Sequence, residues 1–147
     1  MFLPILALIA WTLLIVIWMA VVCMPEMMRA SRAGNAPGNY ATKIEAEQNF
    51  SPRTRWKGDN ANNLFEQPTI FYALALITML SGHADFTAVW MAWAYVILRV
   101  LHSLWHCLVN IIPVRSVIFF LSTLVLVIMT IRLGMQLFNY MPVLPNM

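Results

Sequence analysis

The stretch FLPILALIAWTLLIVIWMAVVCM, residues Phe2–Met24, runs for 23 positions without a charged side chain. A helix of that length, at about 1.5 Å per residue, spans roughly 35 Å and crosses a hydrocarbon core of about 30 Å with some tilt. A cleaved export signal has a basic start, a shorter apolar core and a small-residue cleavage site. Phe2–Met24 has none of these, and Val22 stands where a lipoprotein box ahead of Cys23 has a small residue. The segment therefore reads as a retained membrane span.

The rest of the chain has the same character. Of 147 residues, 61% are hydrophobic and 10% charged, against roughly 25% charged in an ordinary soluble domain. That is too thin a charged skin for a water-soluble globule and too apolar a chain for disorder. The net charge is +3, and nine Lys and Arg scattered along the sequence do not make a nucleic-acid surface. A single membrane domain over residues 1–147 is expected, with the lipid bilayer as its first partner. Cys23 and Cys107 lie in apolar runs without metal or redox spacing and read as small buried hydrophobes.

Working outward, the composition changes sharply at Pro25. From there to about Asn60 lie six of the nine basic residues (Arg29, Arg32, Lys43, Arg53, Arg55, Lys57) and four of the six acidic ones, with turn chemistry at Gly34–Asn39. This reads as one long polar loop. Further helices are expected over 61–80, 86–111 and 115–138, separated by the tight Ser81–Asp85 connection and by a break at Pro113, with an irregular tail at Met141–Met147. The predicted fold class is therefore an all-α integral membrane bundle of four transmembrane helices, 2–24, 61–80, 86–111 and 115–138. The side with loop 25–60 and the Ile111–Val114 turn carries six loop basic residues plus Arg115, and the Ser81–Asp85 turn carries none, so that side is expected to face the cytoplasm and both termini the opposite side. No transporter-like internal repeat is visible.

Charged and strongly polar residues cost about 2.5–3.5 kcal/mol each at the centre of a membrane helix, so their placement carries information. Glu66 lies roughly 8 Å below the cytoplasmic surface if the second helix starts near Ala61, and His106 is equally deep on the returning third helix. Arg99, His102 and His106 are spaced i, i+3, i+7 and share one helix face, while Asn63 and Glu66, three apart, share another. Arg115 and Ser116 open the fourth helix at the same level. A helix N-terminus beside an arginine favours an anion and would lower the pKa of a thiol. Glu66 suits an ammonium group, so a small zwitterionic thiol peptide matches the inventory. A metal does not, since His102 and His106 have no third ligand at helical spacing. The competing structural reading makes Glu66 and Arg99 an ion pair between helices, the histidines packing residues, and Arg115 and Arg132 snorkelling anchors.

Two segments resemble a known family. Asn63-Leu64-Phe65-Glu66 is similar to the N-x-x-E signature of the MAPEG proteins (membrane-associated proteins in eicosanoid and glutathione metabolism). Arg99-Val100-Leu101-His102, His106 and Pro113-Val114-Arg115-Ser116 resemble that family's segment from the third to the fourth helix. The order and spacing from Asn63 to Ser116 look like those of the microsomal prostaglandin E synthases and run without a gap. The resemblance implies a homotrimer with glutathione, as co-substrate, bound between subunits at the cytoplasmic side. It implies that Arg115 stabilises the glutathione thiolate, Ser116 sits beside the sulfur, Asn63, Glu66, His102 and His106 line the peptide, and Arg99 pairs with or supports Glu66. The chain also departs from the pattern. Asp59 and Asn62 replace arginines that hold glutathione carboxylates in relatives, and His106 and Phe119 replace tyrosines.

Three functions remain open on these residues. The first is a glutathione-dependent transferase or peroxidase acting on lipophilic electrophiles, with Arg115 and Ser116 as its catalytic residues. The second is a non-catalytic accessory or scaffolding subunit that keeps the fold. The third is a small transporter or ion-pathway subunit using Arg99, His102 and His106 as a proton relay. A bacterial inner membrane is expected ahead of the endoplasmic reticulum.

Overall fold

The computed structural model describes residues 1–35, 38, 42, 45, 47 and 50–140. Four long helices account for most of them: α1 (Phe2–Arg32), α2 (Pro52–Leu80), α3 (Phe86–Leu108) and α4 (Ile112–Tyr140). Lys43, the tail Met141–Met147, and Ala36, Pro37 and Asn39 of the expected turn lie outside the described residues. Three helices, α1, α3 and α4, are long and apolar enough to cross a membrane among the described residues.

The loop expected over 25–60 is shorter than its composition suggests, because helix invades it from both sides. α1 continues through Pro25 to Arg32. A proline there removes only its own N–H from the ladder, and the flanking residues are exposed at a helix end rather than sealed in a core. The helix stops at Gly34, whose φ of 76° lets Asn35 N–H reach back to the Ala30 carbonyl at 3.0 Å. α2 starts nine residues before Ala61. Ser51 caps it by accepting from Thr54 N–H at 3.3 Å, and Pro52 occupies the first helical position, where no N–H is needed. Glu26 then ties the two extensions together, accepting from Ser51 N–H at 2.9 Å and from the Thr54 hydroxyl at 2.9 Å.

The second boundary correction decides the geometry of the site. α3 ends at Leu108 rather than 111, and the chain reverses at Asn110, whose φ is 54° and whose N–H donates to Trp105 O at 2.8 Å. Asn is among the few residues other than Gly that occupy the left-handed region readily. α4 therefore begins at Ile112 rather than Arg115, and Pro113 sits harmlessly in its first turn.

Successive helices alternate in direction. At one end, Leu8 of α1 meets Phe71, Leu74 and Ala75 of α2, Ala92, Tyr95 and Val96 of α3, and Leu126, Met129 and Leu133 of α4. Phe71 and Tyr95 stack with ring centres 4.6 Å apart at the middle of this cluster. Towards the loop, Ile15, Ala61, Leu64 and Cys107 form a second cluster under Trp11 and Trp18. Both cysteines are free; Cys107 is buried and Cys23 half-buried. Large apolar side chains stay exposed along α1 (Leu6, Leu13, Ile17, Val21) and α4 (Val117, Leu124, Ile128, Ile131). Such rows suit lipid or a neighbouring subunit rather than water.

Arg132, expected to snorkel, instead pairs with Asp85 at the far end of the bundle, with Nη1 donating to Oδ1 at 3.1 Å and Nη2 donating to Oδ2. Asp85 also caps α3 by accepting from Ala88 N–H at 2.9 Å. The bond from Arg132, together with that cap, holds the Asp85 carboxyl below the usual carboxylate range. A depressed folded-state value means that the contribution is complete above the ordinary Asp pKa of about 3.9 and disappears as pH falls through the folded value. Asp85→Asn keeps a capping oxygen but loses the ionisation. Thermal melts in detergent should therefore show a shallower loss of stability on the acid side for the variant. Superimposable acid limbs for the two proteins would count against this role.

Candidate functional site

The polar residues gather where α2, α3 and α4 meet, on the loop side of the apolar core. Helical spacing accounts for the gathering. Asn60 and Asn63 lie one turn apart on α2, while Arg99, His102, Ser103 and His106 share the inward face of α3. Asn60 Nδ2 donates to Ser103 Oγ at 2.6 Å, bridging the two helices in the buried interior. Arg99 is fully buried, and its Nη2 donates to the Asn63 carbonyl at 2.9 Å. Its guanidinium carbon lies 5.5 Å from the Phe119 ring centre and 6.0 Å from that of Tyr95.

The expected Glu66–Arg99 ion pair does not form within the chain. Glu66 points to the exposed side of α2, and among the described residues Arg99 Nε and Nη1 have no hydrogen-bond partner. Arg99 lies seven residues, about 10 Å, along α3 from His106, the residue expected at the depth of Glu66, and Glu66 faces the exposed side of α2.

Arg115 stands at the centre of the α3–α4 junction. Its Nη1 lies 2.8 Å from His106 Nε2 and 2.7 Å from Asn110 Oδ1. A guanidinium has only donors, so His106 Nε2 accepts and that imidazole is neutral with its proton on Nδ1. The Arg115 carbonyl lies 3.2 Å from His102 Nδ1, and since a carbonyl only accepts, His102 also carries its proton on Nδ1. The earlier start of α4 has a further effect. Arg115 N–H is bonded to Ile111 O at 3.1 Å, so it is engaged in the helix rather than free to face an anion, as a helix beginning at Arg115 would have had it.

An open cleft of about 260 Å³ lies beside this junction, lined by Asn63, His102, Arg115, Ser116, Phe119 and Phe120. The structure thus brings Asn63, His102, Arg115 and Ser116 to one cavity. His106 is buried behind Arg115, Arg99 is buried beneath Phe119, and Glu66 is outside the lining. A second, more apolar cleft of about 240 Å³ lies further along α4, between Gln67 and Ile70 of α2 and Thr123, Leu126, Val127, Thr130 and Ile131. Gln67 Nε2 donates to Thr123 Oγ1 at 2.6 Å on its border. Among the described residues no group of three His, Cys, Asp or Glu side chains is placed to hold a metal ion.

Against this geometry, the model of the MAPEG family matches residues 1–135. The chain belongs to the MAPEG family. No curated protein and no solved structure gave a match. Membership, with three helices long and apolar enough to cross a membrane among the described residues, makes this an integral membrane protein of a family tied to glutathione and eicosanoid metabolism.

Asn60, Ser103 and Asn110 join the site without a motif to mark them. The first two carry a signal in the sequence, since each stands three or four residues from another site residue on the same helix face. Asn110 carries none beyond its place three residues before Pro113. The Asn60–Ser103 bond allows a direct check. Ser103→Ala leaves a buried amide without its partner and should destabilise the MAPEG chain by about 1–3 kcal/mol. The readout is a lower unfolding midpoint, partly recovered when Asn60→Leu removes the stranded amide as well. An unchanged midpoint in Ser103→Ala would remove the bond from the account.

Proposed function

We propose that this MAPEG chain is a membrane-bound glutathione-dependent transferase or peroxidase acting on lipophilic electrophiles. The observation that carries the reading is the cleft itself. A guanidinium held by neutral partners, Arg115, and a hydroxyl, Ser116, lie side by side on the wall of a cavity that also presents the Asn63 amide. Members of the family generally use glutathione, and this donor set fits a thiol peptide. Arg115 supplies the positive charge that favours a thiolate, and the Ser116 hydroxyl can donate to the same sulfur. Asn63 and His102 remain as polar contacts for the peptide. Arg99 adds a second buried cation behind the wall.

The chemistry is nucleophilic attack. The thiol proton leaves to solvent, and the sulfur forms a bond to the electrophilic centre of the second substrate as the leaving atom takes the bonding pair. Arg115 acts while negative charge is concentrated on sulfur. The apolar cleft along Ile70, Leu126, Val127 and Ile131 adjoins the same face of α4 and gives a lipophilic chain a path from the bilayer.

The same reading carries the finer points of architecture. α2 is the fourth span, since Phe71, Leu74 and Ala75 share one core with the three apolar helices. The chain works as a homotrimer, which turns the exposed outer mouth of the cleft into a space between subunits. The basic segment between α1 and α2 faces the cytoplasm and both termini face away, in a bacterial inner membrane rather than the endoplasmic reticulum.

One observation favours a second reading. Asp59 and Asn62, both exposed on α2, provide no positive charge for glutathione carboxylates. A chain that kept the fold as an accessory subunit would show this loss. Calorimetry of glutathione binding to detergent-purified protein separates the two. The enzyme reading expects saturable binding by the wild type and at least about tenfold weaker binding by Arg115→Ala, as loss of a charged hydrogen-bonding group implies. Absence of wild-type binding at millimolar glutathione would leave the accessory subunit as the better account.

A further inference from the structure

We propose that His106 and Asn110 are positioning residues that hold the Arg115 guanidinium at the cleft, and that His106 acts on a bound thiol only through Arg115. The catalytic consequence rests on the glutathione reading above, whereas the clamp itself does not.

The geometry is specific. Nη1 carries two hydrogens, and two acceptors converge on it, His106 Nε2 at 2.8 Å and Asn110 Oδ1 at 2.7 Å. One hydrogen goes to each, which fixes both the position of Nη1 and the plane of the guanidinium. Among the described residues this arrangement uses Nη1 alone and leaves Nε and Nη2 for the cleft. A long arginine side chain at a helix start otherwise samples many rotamers.

Each acceptor is itself anchored. His106 is 1% exposed and stands edge-on to the His102 ring at 5.8 Å. His102 is fixed in turn by its Nδ1–H on the Arg115 carbonyl at 3.2 Å. Asn110 is held by the α3–α4 turn, with φ at 54° and its N–H on Trp105 O. The last turn of α3 and the reversal after it therefore set where the first turn of α4 places its cation.

The chemical type of the clamp matters as much as its geometry. Both acceptors are neutral. A carboxylate in either position would hold Arg115 equally well but would cancel the field that favours an anion nearby. An imidazole and an amide orient the guanidinium and leave its charge available. This also gives His106 a task that needs an unprotonated Nε2, and it differs from a direct contact with a bound peptide.

The test uses the full chain in detergent, with glutathione as probe and two readouts per variant: the dissociation constant by calorimetry, and the thiolate fraction of the bound ligand by its ultraviolet absorbance. Asn110→Gly keeps the left-handed turn while removing the acceptor, and His106→Phe removes the other. Each should lower the thiolate fraction at neutral pH by about tenfold while the dissociation constant moves by less than about threefold. His106→Gln, which supplies a neutral acceptor, should recover most of the loss. A dissociation constant raised about tenfold by His106→Phe, with the thiolate fraction unchanged, would make His106 a peptide contact and overturn the proposal.

A second arm needs no ligand. Imidazole nitrogen NMR of the free protein should show His106 Nε2 without a proton and its signal moving in Arg115→Ala. A protonated Nε2, or a signal indifferent to that substitution, overturns the clamp. If the wild type binds no glutathione the enzyme reading falls, and this arm alone still decides whether the clamp exists.

Discussion

Within hydrocarbon, water is not there to complete a hydrogen bond, so a polar side chain on a spanning helix must find its partner inside the protein. That constraint organises the loop-side half of this bundle. Arg99 is sealed from solvent, with one hydrogen bond to a backbone carbonyl and two aromatic rings beside its guanidinium. Asn60 finds Ser103, Gln67 finds Thr123, and Arg115 finds His106 and Asn110. Each of these bonds joins two helices or crosses the turn between two. The polar residues therefore fix the rotation of α2, α3 and α4 about their own axes, which apolar contacts alone specify loosely. Among the described residues Arg99 Nε and Nη1 have no hydrogen-bond partner, so this buried cation is not fully satisfied by the helices around it. An anion or a second subunit would relieve that.

The long apolar helices were legible because nothing else produces 23 uncharged residues in a row, and the family resemblance seen in Asn63–Glu66 and Arg99–Ser116 is matched by membership over residues 1–135. Helix ends were not. Prolines 25 and 113 and the polar run after Met24 invited early stops, yet two of the actual boundaries are set by left-handed residues, Gly34 and Asn110, and a third by the Ser51–Pro52 cap. A charged stretch says that a segment leaves the lipid, not that it leaves the helix. The cap was written in the sequence; Asn110 was visible only as a plain Asn near a proline.

The site shows a related limit. Depth along a helix follows from counting residues, and Asn63, His102, Arg115 and Ser116, expected at compatible depths, line one cleft. Which way each residue faces depends on how three helices are rotated against one another. Glu66 shares its expected depth with His106 but faces outward, and His106 shares its face with His102 but lies behind Arg115. Pairings drawn from depth alone are therefore weakest for residues three or four positions from the contact line, where a rotation of half a helix face exchanges lining for surface.

The two ends of the bundle divide its tasks. Away from the loop, Leu8, Phe71, Tyr95, Met129 and Leu133 pack in one mainly apolar cluster, and the Asp85–Arg132 pair closes the end. That half needs nothing from a ligand. Towards the loop the same four helices carry buried cations and neutral acceptors that add little to packing and demand exact partners. The turn at Asn110 belongs to both descriptions. It reverses the chain so that α4 can pack against α3, and with the same residue it supplies an acceptor to Arg115. A change that merely lengthened this turn could leave the apolar half intact while releasing the guanidinium. Fold and site are thus coupled at this turn.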